Sequence, residues 1–290
     1  MKILNFGSLN IDHVYQVPHF VTPGETLAST GYQKNAGGKG TNQSIALARA
    51  GAEVYHAGQI GEDGIFLKEL LEADGVNTKW LKVGEVPTGH AMIQVNSQGQ
   101  NCILICGGAN ASVTEDYMRQ VFADFEEGDF VLFQNEIAGL PALLQYASEA
   151  GLKIVLNPSP IGPEILQSDL SLVDYFIMNE IEGFEITGKK DAIEILDEMY
   201  RRFPKAEVVL TLGGEGACFG NGNDHVFEAA RKVTAVDTTA AGDTFTGYFF
   251  ASLLEGAEPA EALRLATDAA AITVSRPGAA CSIPKRSELK

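Results

Sequence analysis

The sequence predicts an α/β fold in which a central, mostly parallel sheet is flanked by helices. Short apolar runs that are typical of buried strands alternate along the chain with segments of helical periodicity. The chain has 290 residues, and neither an internal repeat nor a Pro/Ser-rich linker divides it. We therefore predict a single domain over residues 1–290, with two strand-rich inserts at approximately 11–34 and 88–107.

Six apolar runs have the near-continuous hydrophobic character of strands that are buried on both faces. These runs lie at residues 2–8, 53–58, 129–134, 152–157, 173–179 and 206–213. Helices are predicted to begin near Gly38, Gly64, Leu140, Asp191, Ala241 and Pro259. In the second of these helices, apolar residues recur at helical spacing between 66 and 71, and Gly75 is placed to end it.

The inserts at 11–34 and 88–107 interrupt this alternation, because both are typical of strands joined by turns with no helix between them. The stretch VNSQGQN at 95–101 separates two apolar runs and is typical of a hairpin turn. Together the inserts fit either an antiparallel extension of the main sheet or a small β-sheet that forms a lid over an active site. The pattern favours neither alternative.

Composition excludes several classes of protein. Acidic residues outnumber basic ones 38 to 21, and the formal charge of −17 argues against bulk attraction to nucleic acid or to an anionic membrane. The chain has no apolar run long enough for a membrane-spanning helix, and the polar residues of MKILNFGSLNID do not fit a signal peptide. The cysteines, which are Cys102, Cys106, Cys218 and Cys281, include no C-x-x-C pair. We expect buried thiols in a reducing cytoplasm, with a metal or redox pair as the alternative.

The segment VDTTAAGDTFTGYFFASLL at 236–254 is a candidate phosphate-binding turn. A predicted short strand, VTAV at 233–236, leads to Asp237, small residues follow, and then a helix begins. Free N–H groups and the helix dipole at such a turn can hold a phosphate without a lysine. Asp243 in the first turn is either an ordinary helix-stabilising acid or a functional carboxylate. Because two acids bracket a turn of small residues, we favour the functional interpretation.

A second glycine-rich turn lies in NAGGKGTNQSIALARAGA at 35–52. Its spacing does not fit a Walker A loop, because Gly40 follows Lys39 where Ser or Thr is required. It does not fit the G-x-G-x-x-G fingerprint of dinucleotide-binding dehydrogenases either, because the last position is Gln. Taken alone, the turn is more typical of a structural feature. Lys39 and Asn42 are nevertheless available to donate hydrogen bonds to hydroxyl groups.

Polar residues follow several predicted strands, at the carboxyl ends where open α/β sheets bind ligands. Asn10 and Asp12 alternate after the first strand, which suits a sugar site, although an Asx turn explains the pair equally well. Glu136, Asn179 and Glu182 stand at other strand ends. Acids at these positions can hold a metal ion or its waters, or can simply begin a helix.

These residues together resemble the ribokinase-like sugar kinases, the PfkB family. VDTTAAGDTF at 236–245 is similar to the C-terminal signature of the family, and GGKGTNQSIALARAGA at 37–52 is similar to its N-terminal signature. Shorter pieces follow the family's order over nearly the whole chain: GSLNID, VNSQGQN, GGAN, QNE, NPSP, MNEIE, TLGGEG and RPGAACSIP. The inserts then correspond to the family's lid.

The resemblance implies an ATP-dependent kinase that phosphorylates a small sugar at a primary hydroxyl, D-ribose in the nearest case, with Mg²⁺ and a monovalent cation, K⁺. Asp243 corresponds to the catalytic base, and the anion hole corresponds to Ala240, Ala241 and Gly242. Substrate-contacting positions correspond to Asn10, Asp12, Gly38, Lys39, Gly40, Asn42, Glu136 and Asp243. Nucleotide-contacting positions correspond to Asn179, Thr211, Gly213, Gly216 and Gly242. The K⁺ ligands, mostly backbone carbonyls, correspond to Asp237, Thr239, Thr273, Arg276, Gly278 and Ser282, and Glu182 lies in an acidic motif linked to Mg²⁺.

The resemblance also implies a homodimer formed through the lid, and it leaves the substrate open. Relatives that act on fructose, deoxyribose, adenosine or other nucleosides share the ATP-binding end, and a non-catalytic sugar-binding regulator is a further alternative. The polar sugar end favours a small substrate with many hydroxyls, since only Tyr15 and Tyr32 are candidates for the wall of a nucleobase site. Gln134 and Asn135 stand before Glu136 where aliphatic residues are more usual in the family.

Overall fold

The computed structural model describes residues 1–222 and 224–289 and has the α/β fold that the sequence predicts. Thirteen strands lie in these residues: β1 Ile3–Phe6, β2 Asn10–Gln16, β3 Gly31–Gly37, β4 Val54–Gly61, β5 Asn77–Gly84, β6 Gly89–Val95, β7 Asn101–Cys106, β8 Phe130–Gln134, β9 Lys153–Asn157, β10 Tyr175–Asn179, β11 Glu207–Thr211, β12 Gly216–Gly220 and β13 His225–Ala229. Nine of them form one sheet in the order β13-β12-β11-β10-β9-β8-β1-β4-β5. Its neighbouring strands are parallel except at β11–β12 and β12–β13, where they are antiparallel.

Nine α-helices occur in the same described ranges: α1 Lys39–Ala50, α2 Ile65–Ala73, α3 Glu115–Phe122, α4 Leu140–Glu149, α5 Pro163–Gln167, α6 Glu180–Thr187, α7 Ala192–Arg202, α8 Ala241–Leu254 and α9 Pro259–Val274. Several of their ends follow from local chemistry. Asp191 caps the start of α7 by accepting hydrogen bonds from the N–H groups of Ile193 and Glu194. Gly51 ends α1 in the left-handed conformation, with φ 107°.

Most predicted elements are confirmed. The six predicted runs are β1, β4, β8, β9, β10 and β11, and the predicted helix starts coincide with α1, α2, α4, α7, α8 and α9. The pattern misses β5 and β13, which lie at the two edges of the sheet and expose alternate residues. It also misses β12, whose sequence GACFG is rich in small residues, and the helices α3, α5 and α6.

Two apolar layers cover the two faces of the nine-stranded sheet. Ile3 and Leu4 are adjacent in β1 and are both fully buried, but they belong to different layers because successive side chains of a strand point to opposite faces. The Ile3 layer includes α1, α2, α8 and α9, and the Leu4 layer includes α3, α4 and α7. The helices therefore sandwich the sheet, and the ends of the strands stay open for a site.

The predicted inserts form a separate four-stranded sheet in the order β3-β2-β6-β7, so the alternative of an extension of the main sheet is wrong. In this sheet β2 is antiparallel to β3 and parallel to β6, and β6 is antiparallel to β7. The predicted hairpin turn joins β6 to β7, with Asn96 N–H donating to the Gln100 carbonyl at 3.0 Å. Because β2 begins at Asn10 and β3 ends at Gly37, the small sheet adjoins two of the predicted site segments.

Two local predictions are wrong. Residues 233–236, all of which are described, form no strand; the Val236 N–H donates to the Val274 carbonyl at 2.7 Å, so this connection is tied to the end of α9 instead of to a sheet. Cys102 and Cys106 are exposed, since β7 is an outer strand of the small sheet and all six of its residues face solvent. Cys281 is exposed as well, and only Cys218 of the four thiols is buried. None of the helices in the described residues is long and apolar enough to cross a membrane.

Candidate active site

A cavity of about 250 Å³ opens at the carboxyl ends of β9, β10 and β11, against the start of α8. Its lining brings together predicted residues that are far apart in the sequence: Lys39, Asn179, Glu182, Thr211, Ala240, Ala241, Gly242 and Asp243. A larger cavity of about 620 Å³ has a lining drawn from residues 61–63, 83–85 and Pro87, and that lining includes none of the predicted site residues. The smaller cavity therefore fits the predicted chemistry.

The predicted anion hole is the start of α8. Ala240 precedes the first helical residue with φ 59° and ψ 11°, and it is the only non-glycine residue of the described ranges with a positive φ. This left-handed conformation costs an alanine about 1–2 kcal/mol. No side chain caps the helix; the Ala241 N–H donates to the Thr238 carbonyl at 3.3 Å, and the N–H groups of Gly242 and Asp243 are left available beside the cavity that these two residues line. A strained, uncapped helix start of this kind suits an anion.

Asp243 is buried and holds two hydrogen bonds from α1. The side-chain amide of Asn42 donates to Oδ2 at 2.9 Å, and the side-chain amide of Gln43 donates to Oδ1 at 2.9 Å. The carboxylate thus faces the glycine-rich turn, about 200 residues away in the sequence. Asn42 is a predicted site residue, whereas Gln43 is one that sequence reasoning missed.

Close packing of α1 on α8 makes these contacts possible. Gly247 lies one helical turn after Asp243, and a Cβ at this glycine would lie 2.3 Å from the Cβ of Ala46. Ala46 in turn lies one turn after Asn42 on α1. The two small residues therefore let the helix backbones approach at the level that Asn42 and Gln43 need to reach Asp243.

Lys39 supplies a cation to the cavity. Burial acts to lower the pKa of its amino group, but the carboxylates of Asp243, Glu136 and Glu182 outweigh burial and raise the pKa above its ordinary value. Lys39 therefore stays charged at neutral pH. It is a compact positive charge among three acids in a chain whose formal charge is −17.

Asp12 and Glu136 form the acidic part of the predicted sugar end. Burial, followed by the charge of Glu136, raises the pKa of Asp12 to about 6. Gly37 packs directly on the Asp12 carboxylate, since a Cβ at this glycine would lie 2.3 Å from both of its oxygens. Glu136 accepts hydrogen bonds from the hydroxyl of Ser8 and, at 3.0 Å, from the backbone N–H of Lys39. These contacts tie the end of β8 to the glycine-rich turn.

The other predicted sugar residues surround the same turn. Gly38 has φ 92°, and a Cβ at Gly40 would lie 2.4 Å from the backbone nitrogen of Ser8, so both glycines are required by the close approach of the backbone at 7–10, which follows β1. Asn10 Oδ1 accepts a hydrogen bond from the side-chain amide of Asn110 at 2.8 Å. Within the described residues, Asn42 Oδ1 is buried and has no hydrogen-bond partner. This unpaired acceptor beside Asp243 suits a substrate hydroxyl.

Of the predicted nucleotide residues, Asn179, Thr211 and Gly242 line the cavity, whereas Gly213 and Gly216 do not. Asn179 and Glu182 form a reciprocal capping box at the start of α6, so the helix-start interpretation accounts for both side chains. Both residues also line the cavity, beside Thr211. Gly213 and Gly216 lie in the turn after β11 with φ 53° and 129°, and a Cβ at Gly216 would lie 2.0 Å from a carbonyl oxygen of β13. This loop therefore keeps its backbone conformation only with glycine.

Three of the predicted cation-site residues are in direct contact. Asp237 accepts hydrogen bonds from the N–H and hydroxyl of Thr239, at 2.9 and 2.6 Å, and from the N–H of Gly278 at 2.9 Å. Burial acts to raise the pKa of Asp237, but these hydrogen bonds outweigh it and hold the pKa below its ordinary value. Asp237 is therefore a fixed negative charge between the two loops.

The remaining cation-site residues use their side chains elsewhere. The hydroxyl of Thr273 pairs with that of Thr244 at 2.9 Å, and the hydroxyl of Ser282 donates to the Ala279 carbonyl at 2.7 Å. Arg276 pairs with Glu288 at 2.6 Å. The described residues contain no group of three or more His, Cys, Asp or Glu side chains arranged to hold a metal ion. A cation at this loop would thus depend on Asp237 and on backbone carbonyls.

The chain is similar over nearly its whole length to known carbohydrate kinases. A family model described as pfkB family carbohydrate kinase matches residues 1–286. The ribokinase of Haemophilus influenzae is 39% identical over 97% of this chain and 95% of its own length. The structure of ribokinase from Cryptococcus neoformans in complex with ADP is 34% identical, with a TM-score of 0.85 over 99% of this chain and 98% of that one. The structure of Arabidopsis thaliana ribokinase complexed with ribose and ATP is 30% identical, with a TM-score of 0.85 over 99% of this chain and 96% of that one.

Proposed function

The chain belongs to the pfkB family of carbohydrate kinases, and from this membership we propose that it transfers the γ-phosphoryl group of ATP to the 5-hydroxyl of D-ribose. Relatives named as ribokinases, one of them solved with ribose and ATP, support both substrates. The observation that carries the proposal is the place of Asp243. It lies in the first turn of α8, beside the uncapped helix start, and it accepts a hydrogen bond from Asn42 of the glycine-rich segment.

Asp243 is the proposed base. The 5-oxygen of ribose attacks the γ-phosphorus, the bond from this phosphorus to the oxygen that bridges to the β-phosphate breaks, and ADP leaves. The hydroxyl proton passes to the Asp243 carboxylate. The amides of Asn42 and Gln43 hold this carboxylate from the α1 side, and each carboxylate oxygen keeps a further lone pair to accept the proton.

The charge that moves in this step is met by fixed groups of the chain. Ala240, Ala241 and Gly242 are the proposed anion hole, in which the N–H of Gly242 would hold the transferred phosphoryl group while that of Ala241 donates to the Thr238 carbonyl at 3.3 Å. The dipole of α8 adds positive potential there. Lys39 places its charged amino group on the same cavity. Because phosphoryl transfer depends mainly on positioning and charge stabilisation, no covalent intermediate on the protein is needed.

Asp12, Glu136, Asn10 and Asn42 are proposed to orient the sugar. Two carboxylates and two amides suit a small substrate with several hydroxyls, because carboxylates accept hydroxyl hydrogens and amides both donate and accept. A nucleoside would need an aromatic or apolar wall for its base. Tyr15 and Tyr32, whose ring centroids lie 5.1 Å apart on the small sheet, are the candidates for such a wall, so a nucleoside is the second candidate substrate.

We propose that the enzyme uses two metal ions, Mg²⁺ and K⁺. Mg²⁺ neutralises phosphate charge when it is bound with the nucleotide, and Glu182, which lines the cavity, is the residue proposed to hold one of its waters. Asp237, Thr239 and Gly278 suit K⁺, because an ionised carboxylate with two adjoining loops supplies hard oxygen ligands.

Replacement of K⁺ by Na⁺ should lower kcat. The variant Asp237→Asn should lose this selectivity, whereas a wild-type rate that is the same with and without K⁺ would exclude the cation site.

The small sheet is proposed to act as the lid and as the dimer contact. Its outer strand β7 exposes three adjacent apolar side chains, Ile103, Leu104 and Ile105, at 50%, 69% and 60%. Apolar exposure of this extent is typical of a surface that another protein covers. Light scattering at micromolar concentration should give twice the mass of 31.0 kDa, and a monomer would contradict the dimer. The proposed enzyme acts in the cytoplasm, where ATP and a reducing environment for its four free thiols are found.

A coupled assay of ADP formation tests the proposed function. The panel contains ribose, deoxyribose, fructose and two nucleosides, each with saturating MgATP. Ribose should give the highest kcat/KM. A nucleoside that ranks above ribose would replace the substrate, and a chain that phosphorylates none of them while it binds ribose would be a sugar-binding regulator.

A further inference from the structure

A buried line of polar side chains continues from Asp243 into the centre of the main sheet. Gln43 bonds to Asp243, and its Oε1 accepts a hydrogen bond from the side-chain amide of Gln134 at 2.7 Å. The same amide nitrogen donates to Asn5 Oδ1 at 2.9 Å. All three of these side chains are 0–1% exposed. We call the line made of Gln43, Gln134, Asn5, Ser44 and His56 the polar relay.

The relay ends on backbone carbonyls. Asn5 donates through Nδ2 to the carbonyl of Gly40 and to the hydroxyl of Ser44, both at 2.8 Å. The Ser44 hydroxyl lies 2.8 Å from Nδ1 of His56, and Nε2 of His56 lies 3.2 Å from the carbonyl of Gly7. Burial lowers the pKa of His56 to about 4, so its ring is neutral at pH 7.

These ends fix the direction of every hydrogen bond in the relay. The Gly7 carbonyl can only accept, so His56 carries its proton on Nε2 and accepts at Nδ1 from Ser44. The hydroxyl of Ser44 has then used its hydrogen and accepts from Asn5. Asn5 has used both amide hydrogens, and its oxygen accepts from Gln134. The amide nitrogen of Gln134 therefore donates to Oε1 of Gln43. Because this oxygen is occupied, the side-chain NH₂ group of Gln43 must face Asp243.

We propose that Gln134, held by Asn5, is a positioning residue for the phosphoryl-transfer step: it locks the side-chain amide of Gln43 so that its N–H, and not its oxygen, faces Asp243. Turning the Gln43 amide by 180° changes its shape little, but it would set an oxygen against the carboxylate. Gln134 prevents that turn because its amide nitrogen can only donate. Oε1 of Gln134 has no hydrogen-bond partner in the described residues, so Gln134 acts only as a donor in its contact with Gln43.

The stability of the fold does not account for the relay. Replacing both partners of a buried hydrogen bond by apolar groups of similar shape is close to neutral for stability. An apolar sheet interior at these positions would therefore serve the fold as well. The need to hold the Gln43 amide in one orientation toward Asp243 does account for the relay, because Gln134 donates in both directions, to Gln43 on the Asp243 side and to Asn5 on the other. This inference rests on the proposed function only in taking Asp243 as the base.

The test is a double-mutant cycle on Gln43 and Gln134, assayed with the sugar that gives wild type its highest kcat/KM. Gln134→Met keeps the side-chain length and removes both donors. It should lower kcat about tenfold or more, and leave KM and the calorimetric Kd for the sugar within about twofold, because Gln43 loses its fixed direction. In the Gln43→Met background, Gln134→Met should change kcat by less than about twofold, since no amide remains to be directed.

Three outcomes would overturn the proposal: an unchanged kcat in Gln134→Met, equal losses in both backgrounds, or a loss that appears in KM alone. Gln120→Met is the matched control, because Gln120 is an exposed residue of α3; it should leave kcat unchanged. Gln134→Leu replaces Gln134→Met if the latter melts below the assay temperature. The side-chain ¹⁵N–¹H resonance of Gln43, assigned by its loss in Gln43→Met, should move in Gln134→Met. Because this resonance is read without turnover, it separates a failed relay from a failed substrate assignment.

Discussion

The packing of α1 on α8 predicts that Gly247→Ala will slow the enzyme from a position that does not line the cavity. The added Cβ would lie 2.3 Å from the Cβ of Ala46, whereas two carbon atoms are at their optimum separation at about 3.5–4.0 Å. The two helices must therefore part by about 1 Å at this level. Asn42 and Asp243 lie one turn away on the same two helices, so their 2.9 Å hydrogen bond would lengthen toward 4 Å and be lost.

Misplacement of a reacting group by about 1 Å costs on the order of 100-fold in rate. We therefore expect kcat of Gly247→Ala to fall about 10- to 100-fold, and its free energy of unfolding to fall by about 1–3 kcal/mol from overpacking. Initial rates at saturating MgATP and sugar, with a urea unfolding curve, measure both. Gly220→Ala is the control, because Gly220 ends β12 away from the cavity; it should leave kcat unchanged. A kcat of Gly247→Ala within twofold of wild type would refute the reasoning.

Two further predictions follow from buried ionisable groups. With the pKa of Asp12 at about 6, lowering the pH from 7 to 5 protonates the carboxylate that is proposed to accept sugar hydroxyls, so the ribose Kd should rise about tenfold. Calorimetry on wild type and Asp12→Asn checks this, and a flat wild-type profile would contradict it. His56 has a folded pKa of about 4, below the ordinary 6.5, so the unfolded chain takes up the proton first as pH falls. The contribution of His56 to the free energy of unfolding is complete above pH 6.5 and should fall by about 2 kcal/mol by pH 4.5. Urea unfolding at both pH values should therefore show a smaller loss of stability in His56→Gln than in wild type.

The sequence predicts the fold well where burial makes a strand apolar on both faces. It fails at the edges, since β5 and β13 expose alternate residues and β7 is apolar but outermost. The burial predicted for Cys102 and Cys106 is wrong for this last reason. Periodicity records which residues avoid water, but it does not show whether another strand or another molecule covers them.

The candidate site, too, could be predicted from the sequence only in part. The turn at 237–243 can be predicted from the sequence because the proposed anion hole would need small residues and a helix start in one short segment. Gln43 and Gln134 are not visible, since their contacts join α1, β8 and α8 across 91 to 200 residues. The signals that were present were the Gln beside Asn42 and the polar Gln134 in an otherwise apolar strand. Only the fold places them next to Asp243.

Rapid-quench measurement of a single turnover is the most direct test of Asp243 as the base. Asp243→Asn is mixed with ribose and [γ-³²P]ATP under conditions in which calorimetry shows that both substrates bind. We predict that no more than about 1% of the wild-type rate of ribose 5-phosphate formation will remain, because general base catalysis and the fixed carboxylate are lost together. Formation of ribose 5-phosphate at more than a few per cent of the wild-type rate would contradict the assignment of Asp243.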